Sequence, residues 1–88
     1  MLKITEIARN DSGRRFKLEG KLLGPWVDEL RNVCMQPLDR LEQVGLDLAA
    51  VNFASVAGAE LLRELIRKGI IITQCSAFVA ELLHADEP

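Results

Sequence analysis

Tyrosine is absent from this chain of 88 residues, and aromatic residues make up only 5% of it. Platforms on which nucleic-acid bases could stack are therefore scarce. A broad basic field is missing too: 11 Lys and Arg stand against 13 Asp and Glu, for a net charge of −2. That balance argues against nucleic acid or an anionic membrane as partner. Apolar runs are short. None approaches the roughly 18 residues that a membrane span requires, and Met1 to Ala8 alternates with charges instead of forming a signal-peptide core. Direct membrane insertion is not expected, and a cytoplasmic location is.

Reactive side chains are equally sparse. The two cysteines, Cys34 and Cys75, lie far apart and have no metal-like spacing with each other or with His84, the single histidine. Both sit among apolar residues and are expected to pack as small hydrophobes, unpaired in a reducing compartment. No serine, cysteine or carboxylate motif makes His84 half of a catalytic pair. Gly20 and Gly24 lack the Gly-x-Gly-x-x-Gly spacing that cradles phosphates. Neither enzymatic activity nor a metal or other cofactor is expected.

What remains is enough for one small domain, residues 1–88. Hydrophobic residues make up 49% and charged residues 27%, which is ordinary for a globular chain. A domain this small buries only roughly 60–65% of its unfolded surface, so its stability margin is thin. Leu2 to Ala8 begins as a half-buried strand. Asn10-Asp11-Ser12-Gly13 is turn chemistry, and Arg15 to Glu19 alternates again, so the two runs read as an antiparallel hairpin. Lys3, Arg9, Arg14, Arg15 and Lys17 gather there, the pattern of a solvated hairpin face.

Pro25 suits the first turn of a helix. Trp26, Leu30, Val33 and Cys34 share one helical face, which places Trp26 in the core, and Pro37 is expected to end the helix. Val44 to Val51 is nearly continuous apolar residues around Asp47, as in a central strand covered by helices. Ala59 to Lys68 reads as a second helix, with Glu60–Arg63 and Glu64–Lys68 neighbours on its solvated side and Gly69 as its C-terminal cap. Ile70 to Thr73 reads as a buried strand. Ser76 caps a third helix whose apolar face is Phe78, Val79, Leu82 and Leu83. His84 to Pro88 is a polar tail expected to fray. The order β-β-α-β-α-β-α predicts an α/β fold: a small mixed sheet, an antiparallel hairpin plus parallel strands, covered by helices.

Several stations along this order resemble the STAS domain, the fold of bacterial anti-sigma factor antagonists. They run from about Phe16 to Leu83. Leu18-Glu19-Gly20-Lys21-Leu22 resembles its strand end before the first helix. Leu46-Asp47-Leu48 resembles its Leu-Asp-Leu strand, and Gly69-Ile70-Ile71-Ile72 the strand after its second helix. Phe78 to Leu83 resembles the start of its third helix. The most informative piece is Phe53-Ala54-Ser55-Val56-Ala57-Gly58. In the family this loop usually reads Phe-x-Asp-Ser-Ser-Gly, and its first serine is the phosphorylation switch. Here Val56 holds that place, Ala57 replaces the second serine and Ser55 the acid.

The resemblance implies a non-enzymatic protein-interaction module of a bacterial regulatory system, active in transcription regulation and unphosphorylated. Its partner would be an anti-sigma factor with a kinase-like fold, or another regulator. Phe53, Ala54, Ser55, Val56, Ala57 and Gly58 would form the contact. Asp47 would support that loop by accepting its N–H groups, and Ser55 would cap the following helix rather than carry phosphate. Two alternatives stand beside this reading: an accessory subunit of a phospholipid-transport ATPase, and a small-ligand or nucleotide binder seated at the helix N-terminus. Family members usually continue into a further strand and helix. A chain that stops after the third helix is expected to leave an apolar edge or face uncovered, which suggests a homodimer or a larger assembly.

Overall fold

The computed structural model describes residues 1–11 and 13–84; Ser12 and residues 85–88, where the expected fraying of the tail falls, lie outside the described residues. The element order is the one expected: β1 Leu2–Asn10, β2 Gly13–Leu22, α1 Pro25–Asp39, β3 Gln43–Ala54, α2 Val56–Arg67, β4 Ile71–Cys75 and α3 Ala77–His84. The strands lie side by side in the order β1-β2-β3-β4. β1 and β2 are antiparallel, while β2–β3 and β3–β4 are parallel. Asn10 Oδ1 accepts the Gly13 N–H at 3.0 Å across the hairpin turn.

The core lies on one face of the sheet. Phe16, Leu18 and Leu22 of β2 and Val44, Leu46 and Leu48 of β3 are buried there, in one cluster with Leu30 and Cys34 of α1, Leu61, Leu62 and Leu65 of α2, and Val79 of α3. The molecule is 20 Å deep along its shortest axis, the thickness of one sheet and one helical layer. β3 is central, as expected, but among the described residues helices cover it on one side only. The register puts Lys3 opposite Glu19, and Lys17 opposite Asp47, on the other face. Lys17 Nζ also lies 3.4 Å from Glu19 Oε1. A face of cross-strand opposite charges stays in water without penalty. Arg14 of the basic cluster instead reaches Glu42 at 3.3 Å.

Two irregularities in β3 set up everything beyond Leu48. The register steps from Lys17↔Asp47 to Glu19↔Ala50, and from Gly20↔Val51 to Lys21↔Phe53. Each step inserts one extra residue in β3, as a β-bulge does. The buried positions therefore run Val44, Leu46, Leu48, then Val51 and Ala54. Strict alternation would have turned Asn52 inward.

Several local expectations are corrected. α1 does not stop before Pro37 but carries it inside its last turn. The helix there loses one hydrogen bond, and burying the ring offsets this. Its buried positions are Val27, Leu30, Cys34 and Pro37, so Trp26 sits at the margin of the core, half-buried. β4 is an edge strand and mostly exposed, with Ile71 at 54%; Ile70, just before it, is the buried residue. Cys75 at its end is exposed, so of the two thiols only Cys34 is a core residue. Glu64 pairs with Arg31 of α1 at 2.9 Å rather than with Lys68. Arg63 donates to the Leu82 carbonyl of α3 at 3.2 Å rather than pairing with Glu60. Tertiary neighbours outcompete the weak pairs along a single helix.

Leu41, just past α1, has φ 61° and is 94% exposed. Its side chain stabilises nothing by burial, while the left-handed conformation costs a branched residue about 1–2 kcal/mol. Leu41→Gly is expected to stabilise the fold by about 0.5–1 kcal/mol net of the added chain entropy, raising Tm by several degrees in a thermal melt. Burial pushes the Cys34 thiol from 9.0 up to about 12. The unfolded chain ionises first, so stability declines as pH rises from 9.0 towards about 12. With a thiol reagent at pH 8, Cys75 is expected to react at once and Cys34 only on addition of denaturant. Prompt labelling of both would contradict the burial.

Candidate functional site: the strand-to-helix junction

The segment expected to be a loop is almost no loop. β3 runs to Ala54, and α2 begins at Val56. Ser55 alone joins them, in an extended conformation with φ −71° and ψ 172°. Three bonds fix it. Its N–H donates to the Leu22 carbonyl at 3.0 Å, and its own carbonyl accepts the Ala59 N–H at 2.8 Å. Its Oγ accepts the Gly58 N–H at 3.1 Å, which is N-capping of α2. The helix thus starts three residues before the expected Ala59, because a serine ready to cap lies directly at the strand end.

Gly58 makes this sharp entry possible. A Cβ placed on it would lie 2.7 Å from the Leu22 carbonyl oxygen. Only a glycine lets the first turn of α2 press onto the end of β2. With Gly58 and Ala59 facing inward, Val56 and Ala57 face outward, and Val56 is 77% exposed. Phe53 precedes the turn and is 42% exposed. Ala54 is buried beneath. Of the six expected contact residues, Phe53, Val56 and Ala57 therefore form the surface. Ser55 is half-buried, and Ala54 and Gly58 are its foundation.

Asp47 serves a different segment. Its Oδ1 accepts the Ala49 N–H at 3.0 Å, within the first irregularity of β3, where the ladder to β2 is interrupted. It steadies the strand bulge rather than the Phe53–Gly58 turn. His84 is the last residue of α3 and is exposed, far in the chain from any nucleophile of the junction. Among the described residues no group of three or more His, Cys, Asp or Glu could hold a metal ion. No helix among them is long and apolar enough to cross a membrane.

One residue of this surface was read as core from the sequence. Phe78, on the first turn of α3, stacks on Phe53 with ring centroids 6.1 Å apart and planes inclined by 25°. It remains 38% exposed. Ser76 places it: its Oγ donates to the Val51 carbonyl at 2.7 Å and accepts the Val79 N–H at 3.2 Å, and its N–H donates to the Leu48 carbonyl at 3.2 Å. The capping serine of α3 therefore also ties that helix to β3. Periodicity cannot reveal this, because it places Phe78 and Val79 on one apolar face, and only the packing of α3 against β3 decides that Val79 takes the core and Phe78 the margin. Ser55→Ala removes the cap of α2 and is expected to cost about 1 kcal/mol, a fall in Tm of roughly 4–8 °C for a domain of this size, with the far-UV spectrum unchanged. A loss within experimental error would show the cap to be dispensable.

No family model matches the sequence, and no curated protein matches it significantly. In the solved structures, the fold is similar to that of the anti-sigma factor antagonist SpoIIAA in its unphosphorylated form, with a TM-score of 0.63 at 13% sequence identity. The match covers 75% of this chain and 62% of SpoIIAA, so this chain spans less than two thirds of the length of that protein. Strand pairing, helix order and this likeness agree: the chain has the STAS fold.

Proposed function

We propose that this chain is a non-enzymatic protein-interaction module of a bacterial regulatory system, an anti-sigma factor antagonist-like domain that contacts its partner through Phe53, Val56 and the rest of the Phe53–Gly58 turn. One observation carries the reading: Val56, an apolar residue, stands 77% exposed at the first position of α2, three residues after Phe53, whose exposed ring stacks on the exposed Phe78. A single exposed valine would be ordinary, but exposed apolar residues gathered at one junction, here Phe53, Val56 and Phe78, mark an interaction surface. The likeness to an anti-sigma factor antagonist supports the same class of function. Val56 has no hydroxyl, and the serine before it already holds the helix cap. Association would then be constitutive, not gated by phosphate at this turn. The partner under this reading is an anti-sigma factor of kinase-like fold or a related regulator.

The test is affinity capture from the native bacterium with the wild type and Val56→Arg. A charged side chain at the centre of an apolar contact is expected to weaken binding at least about 10-fold, equivalent to about 1.4 kcal/mol or more. Thermal stability should stay within about 0.5 kcal/mol, because the residue is exposed. A kinase-like regulator recovered with the wild type and lost with the variant supports the proposal. Recovery of a transport ATPase instead would move the function to an accessory transport subunit. Equal recovery with both proteins would remove the turn from the interface, and stoichiometric labelling by a kinase would end the claim of ungated binding.

A further inference from the structure

α3 is apolar nearly all round. Six of its eight residues are Ala77, Phe78, Val79, Ala80, Leu82 and Leu83, and yet only Val79 is fully buried. A helix of that composition is normally enclosed. Its outer side holds a shallow hollow lined by Ala77, Phe78, Glu81 and Leu82, and the Phe53–Phe78 stack joins this side to the end of β3, three residues before Val56. The sequence around it has the same character. Leu48 to Ala59 and Gly69 to Ala80 are two runs of 12 residues without a charge, in a chain that is 27% charged. The fold brings them together through Ser76.

Two exposed carboxylates stand at this surface. Glu81 lines the hollow, and Glu60 lies one turn along α2 from Val56; both are exposed, and among the described residues neither makes an ion pair. The neighbouring cation, Arg63, is directed at the Leu82 carbonyl. Lys21, paired with Phe53 in the sheet register, is an exposed ammonium near that end of the surface.

The geometry points to an amphipathic helix of a partner protein as the occupant, with an apolar stripe for Phe53, Val56, Phe78 and Leu82 and Lys or Arg flanking it to meet Glu60 and Glu81. Helix-in-groove binding of this kind reads apolar anchors at helical spacing, and complementary rim charge fixes orientation and partner choice. A second copy of this chain fits less well. A two-fold contact across α3 would bring the Glu60 and Glu81 carboxylates of both copies to one seam. An anionic lipid surface meets the same two carboxylates. The inference rests on the interaction reading above and adds the chemistry of the partner.

The test uses a fluorescent helical peptide of about 18 residues, five turns, with leucines on one face flanked by lysines. A second peptide has glutamates in place of the lysines. Each is titrated by anisotropy into the wild type, the Glu60→Lys/Glu81→Lys variant, Val56→Arg, and Asp11→Lys/Asp39→Lys, which makes the same change in net charge away from the surface. The lysine peptide is expected to bind the wild type and the Asp11/Asp39 control alike. It should bind the Glu60/Glu81 variant at least 10-fold more weakly, and the glutamate peptide should gain affinity there. Equal loss in both double variants would reduce the effect to net charge and overturn the proposal. Binding abolished by Val56→Arg but indifferent to flank charge would overturn the basic helix and leave the interaction surface standing. Binding to neither peptide, with concentration-dependent dimerisation in light scattering lost in Phe78→Ala, would assign the surface to a second copy. Uptake by phosphatidylglycerol vesicles in place of peptide would assign it to lipid.

Discussion

The close approach of two backbones at Leu22 and Gly58 governs this molecule. The Leu22 carbonyl accepts the Ser55 N–H at 3.0 Å, and the missing side chain of Gly58 lets α2 settle against that same carbonyl. A backbone contact of this kind tolerates almost no side-chain volume. It forces the chain to turn from strand to helix in one residue. Once that turn is fixed, so is the helical phase, with Gly58, Ala59, Leu61, Leu62 and Leu65 inward and Val56 and Ala57 outward. The exposed valine that marks the candidate site is thus a geometric consequence of a buried glycine two positions later.

The sheet shows a second constraint. Parallel strands are usually covered on both faces, and here one face is bare. It is tolerated because the bare face carries Lys3, Lys17, Glu19 and Asp47 in mutually opposite pairs. The apolar residues are concentrated on the helical side, where the two bulges of β3 keep Val51 and Ala54 in the core. The bulges also aim the C-terminal half of β3 at α3. Ser76 bonds to the Leu48 and Val51 carbonyls and brings α3 against the end of β3, beyond the reach of the short β4. The aromatic stack across this junction joins the turn and α3 into one apolar surface.

Much of the architecture was legible in the sequence because its signals are local. Alternation in Arg15 to Glu19, Pro25 at a helix start, Gly69 at a helix end and the capping serines each report on a few neighbouring residues. The structure keeps them: Gly69 has φ 103°, and Ser55 and Ser76 both cap. Boundaries were less legible. Pro37 inside α1 depended on its ring finding the core, and β4 was read as buried because Ile70, Ile71 and Ile72 look alike. Their environments diverge because, among the described residues, β4 is the edge of the sheet, a property of strand order that composition does not carry.

By itself the sequence determined the order of elements, the apolar alternation of β2 and the absence of a hydroxyl at Val56. These follow from side-chain chemistry and short-range backbone preference. Tertiary structure alone decided that Phe78 leaves the core to stack on Phe53, that Cys75 is exposed while Cys34 is buried, and that Asp47 holds a bulge instead of the turn. Each of those outcomes depends on which distant segment arrives alongside, and that is set by sheet register and helix packing, not by the residue or its neighbours.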